Sequence, residues 1–170
     1  MNTDEQKSLM IAGLRSGDKE TIENTLQDLL EKLNGDSISA RRFAEETLLQ
    51  HCSQIAEEFM KVCEKNSYYK LCLDGCSTVY YTEFERIRYD EDDETFFLYT
   101  KTDCEGDWHV FLMPKSWLFI PESDRPKEFE KMVKEAKLEE LQAKRDDLNH
   151  ELSNICRKID AINEEMYKLV

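Results

Sequence analysis

Glycine and proline are scarce in this chain of 170 residues, five and three respectively. So few leave no room for a long flexible linker or for a glycine-rich phosphate cradle. Long apolar runs are missing too. No stretch approaches the roughly 18 residues that a membrane-spanning helix needs. Nor is there a basic segment. The formal net charge is −14, divided as −5 over residues 1–66, −6 over 67–121 and −3 over 122–170. Nucleic acid and anionic lipid surfaces repel a chain that is acidic in every part. A protein with a basic surface is the natural counterpart. The first fifteen residues begin acidic and lack a secretory pattern. We therefore expect a cytoplasmic protein, bacterial or, if phage-encoded, in the host cytoplasm. It should make no direct nucleic-acid contact and no membrane contact, and its six cysteines should stay reduced.

Histidine is equally sparse. The three are His51, His109 and His150. His51 adjoins Cys52, but neighbouring helix residues point about 100° apart, so they form no nucleophile–base pair. The chain shows no catalytic triad and no metalloprotease spacing. The expectation is a protein that is not an enzyme and uses no cofactor.

What is present is helix pattern at both ends and strand pattern between them. The stretch "NTDEQKSLMIAGLR" (2–15) suits a short helix with Thr3 as its cap and Leu9, Met10, Ile11 and Leu14 as its apolar residues. Asp18 can cap a second helix whose Ile22, Leu26, Leu29, Leu30 and Leu33 recur at three- and four-residue steps. Gly35 suits a left-handed stop. A third helix follows from about Ser39 to Lys65, with Phe43, Leu48, Cys52, Ile55, Phe59 and Val62 along one stripe. Together these form a helical hairpin resting on something else.

At Asn66 the pattern changes to aromatic and β-branched residues. Asp74-Gly75 stands between two apolar runs, a strong hairpin signal. Phe84 and Ile87 break strict alternation, and a bulge near Glu85 would turn both inward. "TFFLYTK" and "WHVFLM" are further strands, giving an antiparallel meander. The last strand is expected to end at Met113, with a break at Pro114-Lys115, and "SWLFIP" to be a short edge segment. Both faces of that last strand are apolar, so one should pack in the sheet core and the other beneath long helices. Trp117 is placed at a helix–sheet boundary.

From about Ser123 the chain has the pattern of one helix, with Pro126 in its first turn. Phe129, Met132, Val133 and Ala136 form an ordinary amphipathic face. A heptad register then begins. Leu138, Leu152, Ile159 and Met166 take position a, and Leu141, Leu148, Ile155, Ile162 and Leu169 take position d. Only Arg145, at a, departs. Such a run specifies a coiled coil, most simply a homodimer, although one helix returning onto its own chain would use the same face. Lys144, Glu151 and Lys158 sit at g, and Gln142, Asn149 and Asn163 at e, so charge pairing between g and e is absent and strand number and orientation stay open. The fold class is α+β: an N-terminal helical hairpin (1–66), a central antiparallel meander (67–121), and a capping helix that continues as a coiled coil from about residue 138 (122–170).

The central block resembles the YcxB-like, bacterial pleckstrin-homology-like domains over roughly residues 68–135. Tyr81, Phe84 and Ile87 match the family's step into an acidic turn. Phe97-Leu98-Tyr99 match a strand and Pro114-Lys115 a following "PK" pair. The resemblance implies a curved antiparallel sheet capped by a helix, and no catalysis. The family commonly carries two membrane helices before this block, where this chain has polar helices.

Three candidate sites emerge. Asp90, Glu91, Asp92, Asp93, Glu94, Asp103, Glu105 and Asp107 stand against Lys101 alone, which places half of the net charge in 18 residues. With Trp117 they could form a docking surface for a basic, nucleic-acid-handling protein, imitating nucleic-acid phosphate so as to modulate or inhibit it. Small acidic chains of this kind occur among phage and mobile-element inhibitors of host defence. A pleckstrin-like alternative would gather Lys70, Arg86, Arg88 and Lys115 around a small ligand or anionic headgroup. A zinc-supported alternative would use Cys72, Cys76, Cys104 and His109.

Overall fold

A computed structural model describes residues 2–67, 83–100 and 110–170. Helix α1 (Thr3–Leu14) is followed by α2 (Lys19–Asn34) and α3 (Ile38–Lys65). Strands β1 (Phe84–Asp90), β2 (Thr95–Thr100) and β3 (Val110–Pro114) come next. A 3-10 helix (Lys115–Phe119) then leads to α4 (Arg125–Leu169). The described strands form one antiparallel sheet in the order β1-β2-β3. The class is α+β. No helix among the described residues is long and apolar enough to cross a membrane.

Side-chain caps open the three N-terminal helices. Asn2, one residue before the expected Thr3, caps α1. Its side chain accepts from the Glu5 amide at 2.8 Å while the Glu5 carboxylate accepts from the Asn2 amide at 2.9 Å. This reciprocal pair satisfies two otherwise orphaned donors. Asp18 caps α2 as expected, accepting from the Thr21 amide and hydroxyl. Ser37 caps α3. Gly35 does not take the left-handed stop: it is extended, with φ −77°. Among the described glycines Gly17, between α1 and α2, takes the left-handed conformation, at φ +74°.

All three N-terminal helices pack on one another, so the expected hairpin of α2 and α3 carries α1 as a third member. Ile11, Leu14, Ile22, Leu26, Leu29, Ala44 and Leu48 form its interior. Gly13 permits the α1–α2 approach. A Cβ built there would lie 2.5 Å from the Thr25 hydroxyl.

The sheet packs its inner face on α3. The inner rows are Ile87, Leu98 and Phe111, then Tyr89, Phe96 and Met113, matched across strands. Register shifts between Phe84 and Arg86, which places the expected bulge at Glu85. Phe84 is thereby turned toward Phe111, with ring centroids 6.0 Å apart. Phe59 of α3 meets Phe111, Trp117 and Phe129 at 6.2, 4.7 and 5.2 Å between centroids. Helices, sheet and the start of α4 therefore share one core. The compact unit is 1–133, and the remainder of α4 (134–170) is a second unit. The change of pattern at Asn66 marks a change of element within a unit.

Two expectations about the stretch before α4 are corrected. Residues 115–119 form a 3-10 helix, where an edge segment was expected. Pro114 completes β3 opposite Thr95. Beyond it the Lys115 amide donates to the Glu94 carbonyl at 2.9 Å, and the chain turns so that Trp117 and Leu118 enter the core. The second face of β3 is also not buried: Leu112 is 51% exposed. The Asp74-Gly75 hairpin, Tyr81 and residues 101–109 lie outside the described residues.

Candidate functional site

The heptad residues occupy the second unit by themselves. From 134 to 170 no residue is buried. Leu138, Leu141, Leu148, Leu152, Ile155, Ile159, Ile162, Met166 and Leu169 are each more than half exposed. Their spacing of three and four residues sets them on one stripe of a continuous helix. Arg145 interrupts the stripe, its guanidinium turned to Asp146 at 2.8 Å. Lys144 pairs with Glu140 on the same helix at 2.9 Å. Cys156, at position e, is exposed. The stripe ends where core packing begins: Phe129 and Val133, two turns and one turn before it, are fully buried in the first unit.

The acidic turn is partly organised by its own chain. The Asp90 carboxylate accepts from the amides of Asp92 and Asp93, at 3.1 and 3.4 Å, and lies 3.6 Å from Arg88. Glu91 accepts from the Asn34 side chain at 3.3 Å. Glu94 pairs with Lys115 at 3.2 Å and takes a left-handed φ of +47°, an uncommon position for a side-chain-bearing residue. Asp92 and Asp93 form the exposed tip. Asp103, Glu105 and Asp107 lie outside the described residues.

An open groove of about 600 Å³ lies along α2, bordered by Glu91 of this turn and Lys115 of the 3-10 helix. Leu26 and Leu30 line it, and Glu23, Glu31, Glu91 and Lys115 stand around it. With three carboxylates to one ammonium, it extends the negative surface of the turn.

Trp117 does not belong to a docking surface. It is only 7% exposed, its ring tilted against those of Phe59 and Phe129 with centroids 4.7 and 4.9 Å away. The helix–sheet boundary is its correct place, and burial there removes it from any partner.

Three residues of the pleckstrin-like ligand set are described. Arg86 and Arg88 point from the outer face of β1. Arg86 lies over the Tyr99 ring at 5.3 Å and Arg88 over the Phe97 ring at 5.0 Å, each across from its strand partner. Lys115 is instead held by Glu94 beside the α2 groove. Lys70 lies outside the described residues. So do all four candidate zinc ligands, Cys72, Cys76, Cys104 and His109. Among the described residues no cluster of three or more potential metal ligands occurs.

His51, with Cys52 and Cys63, lies on a helix face that reads as core or boundary, and all three are buried. His51 is 1% exposed, and neither ring nitrogen has a hydrogen-bond partner among the described residues. Burial, then the charges of Arg125 and Arg15, lower its pKa from 6.5 to about 4, so it is neutral in the folded protein at pH 7. Burial likewise pushes the adjacent Cys52 thiol well above its ordinary value. A protonated thiol and an imidazole sealed from water form no nucleophilic pair.

No family model, curated protein or solved structure matches the chain.

Proposed function

We propose that this protein is a non-enzymatic binding module. It self-associates through residues 138–169 and engages a basic protein partner through the acidic turn at 90–94. The observation that carries this is the α4 stripe, nine large apolar side chains in heptad register and each more than half exposed. Apolar surface of that extent is unfavourable in water and marks an association face, and heptad spacing is the geometry of helix-to-helix packing. The acidic turn supports the second half. Its carboxylates and those of the neighbouring groove give one sign of charge, which favours encounter with a basic surface. A nucleic-acid-handling protein presents such a surface, and an array of carboxylates would compete there with phosphate.

Two measurements test the two halves. Sedimentation of the full chain should give twice the monomer mass, and Ile155→Asp with Ile159→Asp should return it to monomer. A monomeric mass for the unaltered chain would remove the self-association. Affinity capture should enrich a basic protein, lost on Asp92→Lys with Asp93→Lys. Equal capture by both forms would remove the acidic turn from the interface.

A further inference from the structure

Building on that self-association, we propose that the stripe binds a second copy of this chain in antiparallel orientation, with residues 138–169 of the two copies fully overlapped. The inference comes from the one polar core residue and from the charges at g, which decide between the two ways of pairing identical helices.

In a parallel, in-register pair each core layer joins a residue to itself. Arg145 would then face Arg145 of the second copy, placing two guanidinium groups in one layer. The flanking contacts would be g to e of the next heptad. Lys144 would meet Asn149, Glu151 would meet Cys156 and Lys158 would meet Asn163. Each is a charge opposite a neutral group, so no flanking contact between the helices offsets the like charges in the core.

Antiparallel pairing joins a to d layers. Full overlap sets Leu138 against Leu169, Arg145 against Ile162 and Leu152 against Ile155, each layer occurring twice by the two-fold symmetry. All ten core positions over about 48 Å of helix are then used. The two Arg145 side chains sit in separate layers. Each can lay its aliphatic stem on Ile162 and keep its exposed head in water. The same alignment brings g opposite g. Lys144 meets Glu165, and Glu151 meets Lys158, again twice each. All four g contacts join opposite charges. The e contacts, Gln142 with Asn163 and Asn149 with Cys156, are uncharged. Sliding by one heptad to centre the helices on Glu151 would set Lys144 against Lys158 and Glu151 against itself. The charges therefore select the full overlap as well as the orientation.

Glu151 and Lys158 provide a clean test, because neither depends on its own helix. Four residues before Glu151 stands Asp147, so Glu151→Lys improves the intrahelical neighbour. The residues four away from Lys158 are Asn154 and Ile162, both uncharged. Sedimentation equilibrium of the full-length protein at low salt would compare wild type, Glu151→Lys, Lys158→Glu and the double reversal. Each single reversal should weaken the dimer about tenfold, since two symmetry-related pairs turn from attraction to repulsion. The double reversal should restore the dimer to within about threefold. A dimer indifferent to all three variants, or a larger oligomer, would overturn the antiparallel arrangement while leaving self-association standing. A monomer at every concentration would overturn both.

Discussion

Arg125, at the start of α4, donates to the Glu58 carboxylate of α3 at 3.2 Å while only 3% exposed. Its Nε also donates to the Ile120 carbonyl at 3.2 Å. The pair ties the chain leaving the 3-10 helix to the longest helix of the first unit. Removing Glu58 strands a cation that has little access to water. Glu58→Ala should cost about 1–3 kcal/mol in denaturant unfolding, less than for a fully buried pair because Glu58 keeps some solvent contact. Adding Arg125→Met to Glu58→Ala should recover part of that loss. Equal losses in the single and double variants would show that a stranded Arg125 cation is not what Glu58→Ala costs.

His51 sets an acid limit on stability. Its pKa falls from 6.5 when exposed to about 4 in the fold, so the folded state disfavours the proton. The contribution is complete above pH 6.5 and declines as pH falls toward 4, by about 3 kcal/mol across that window. Stability measured against pH should show this slope, and His51→Phe should flatten it. The same slope in His51→Phe would assign it to other groups.

Trp117 joins the sheet, α3 and α4 through the rings of Phe59, Phe111 and Phe129. Trp117→Ala should therefore destabilise the protein by about 3–5 kcal/mol. Trp117→Phe should cost less, because it keeps a ring in the cluster. Capture of a partner by Trp117→Phe should match wild type, which separates a packing role from a binding one.

Gly13 is the last residue but one of α1, and glycine within a helix ordinarily costs up to about 1 kcal/mol relative to alanine. Its place is explained by the Thr25 hydroxyl 2.5 Å from where a Cβ would lie. Gly13→Val should lower stability by about 1–3 kcal/mol. Combining Gly13→Ala with Thr25→Ala should relieve the contact and equal or exceed the wild type. A lower midpoint for the double variant would point to another reason for the glycine.

Much of this protein follows from short-range chemistry. The helices of the first 65 residues, the Asp18 cap, the bulge at Glu85 and the heptad stripe from Leu138 all rest on spacing of three, four or two residues and on local turn chemistry, which a sequence displays directly. The same holds for the charges at g and the lone Arg145, from which the antiparallel pairing is drawn. Tertiary structure alone decided what depends on residues distant in the chain. It placed Trp117 inside by bringing α3 and α4 against the 3-10 helix. It sent Lys115 to Glu94 beside α2, away from Arg86 and Arg88. It left one face of β3 uncovered and buried His51 without a hydrogen-bond partner among the described residues. Each of these outcomes turns on which surfaces meet, and periodicity carries the direction of a side chain but not the identity of what it will face.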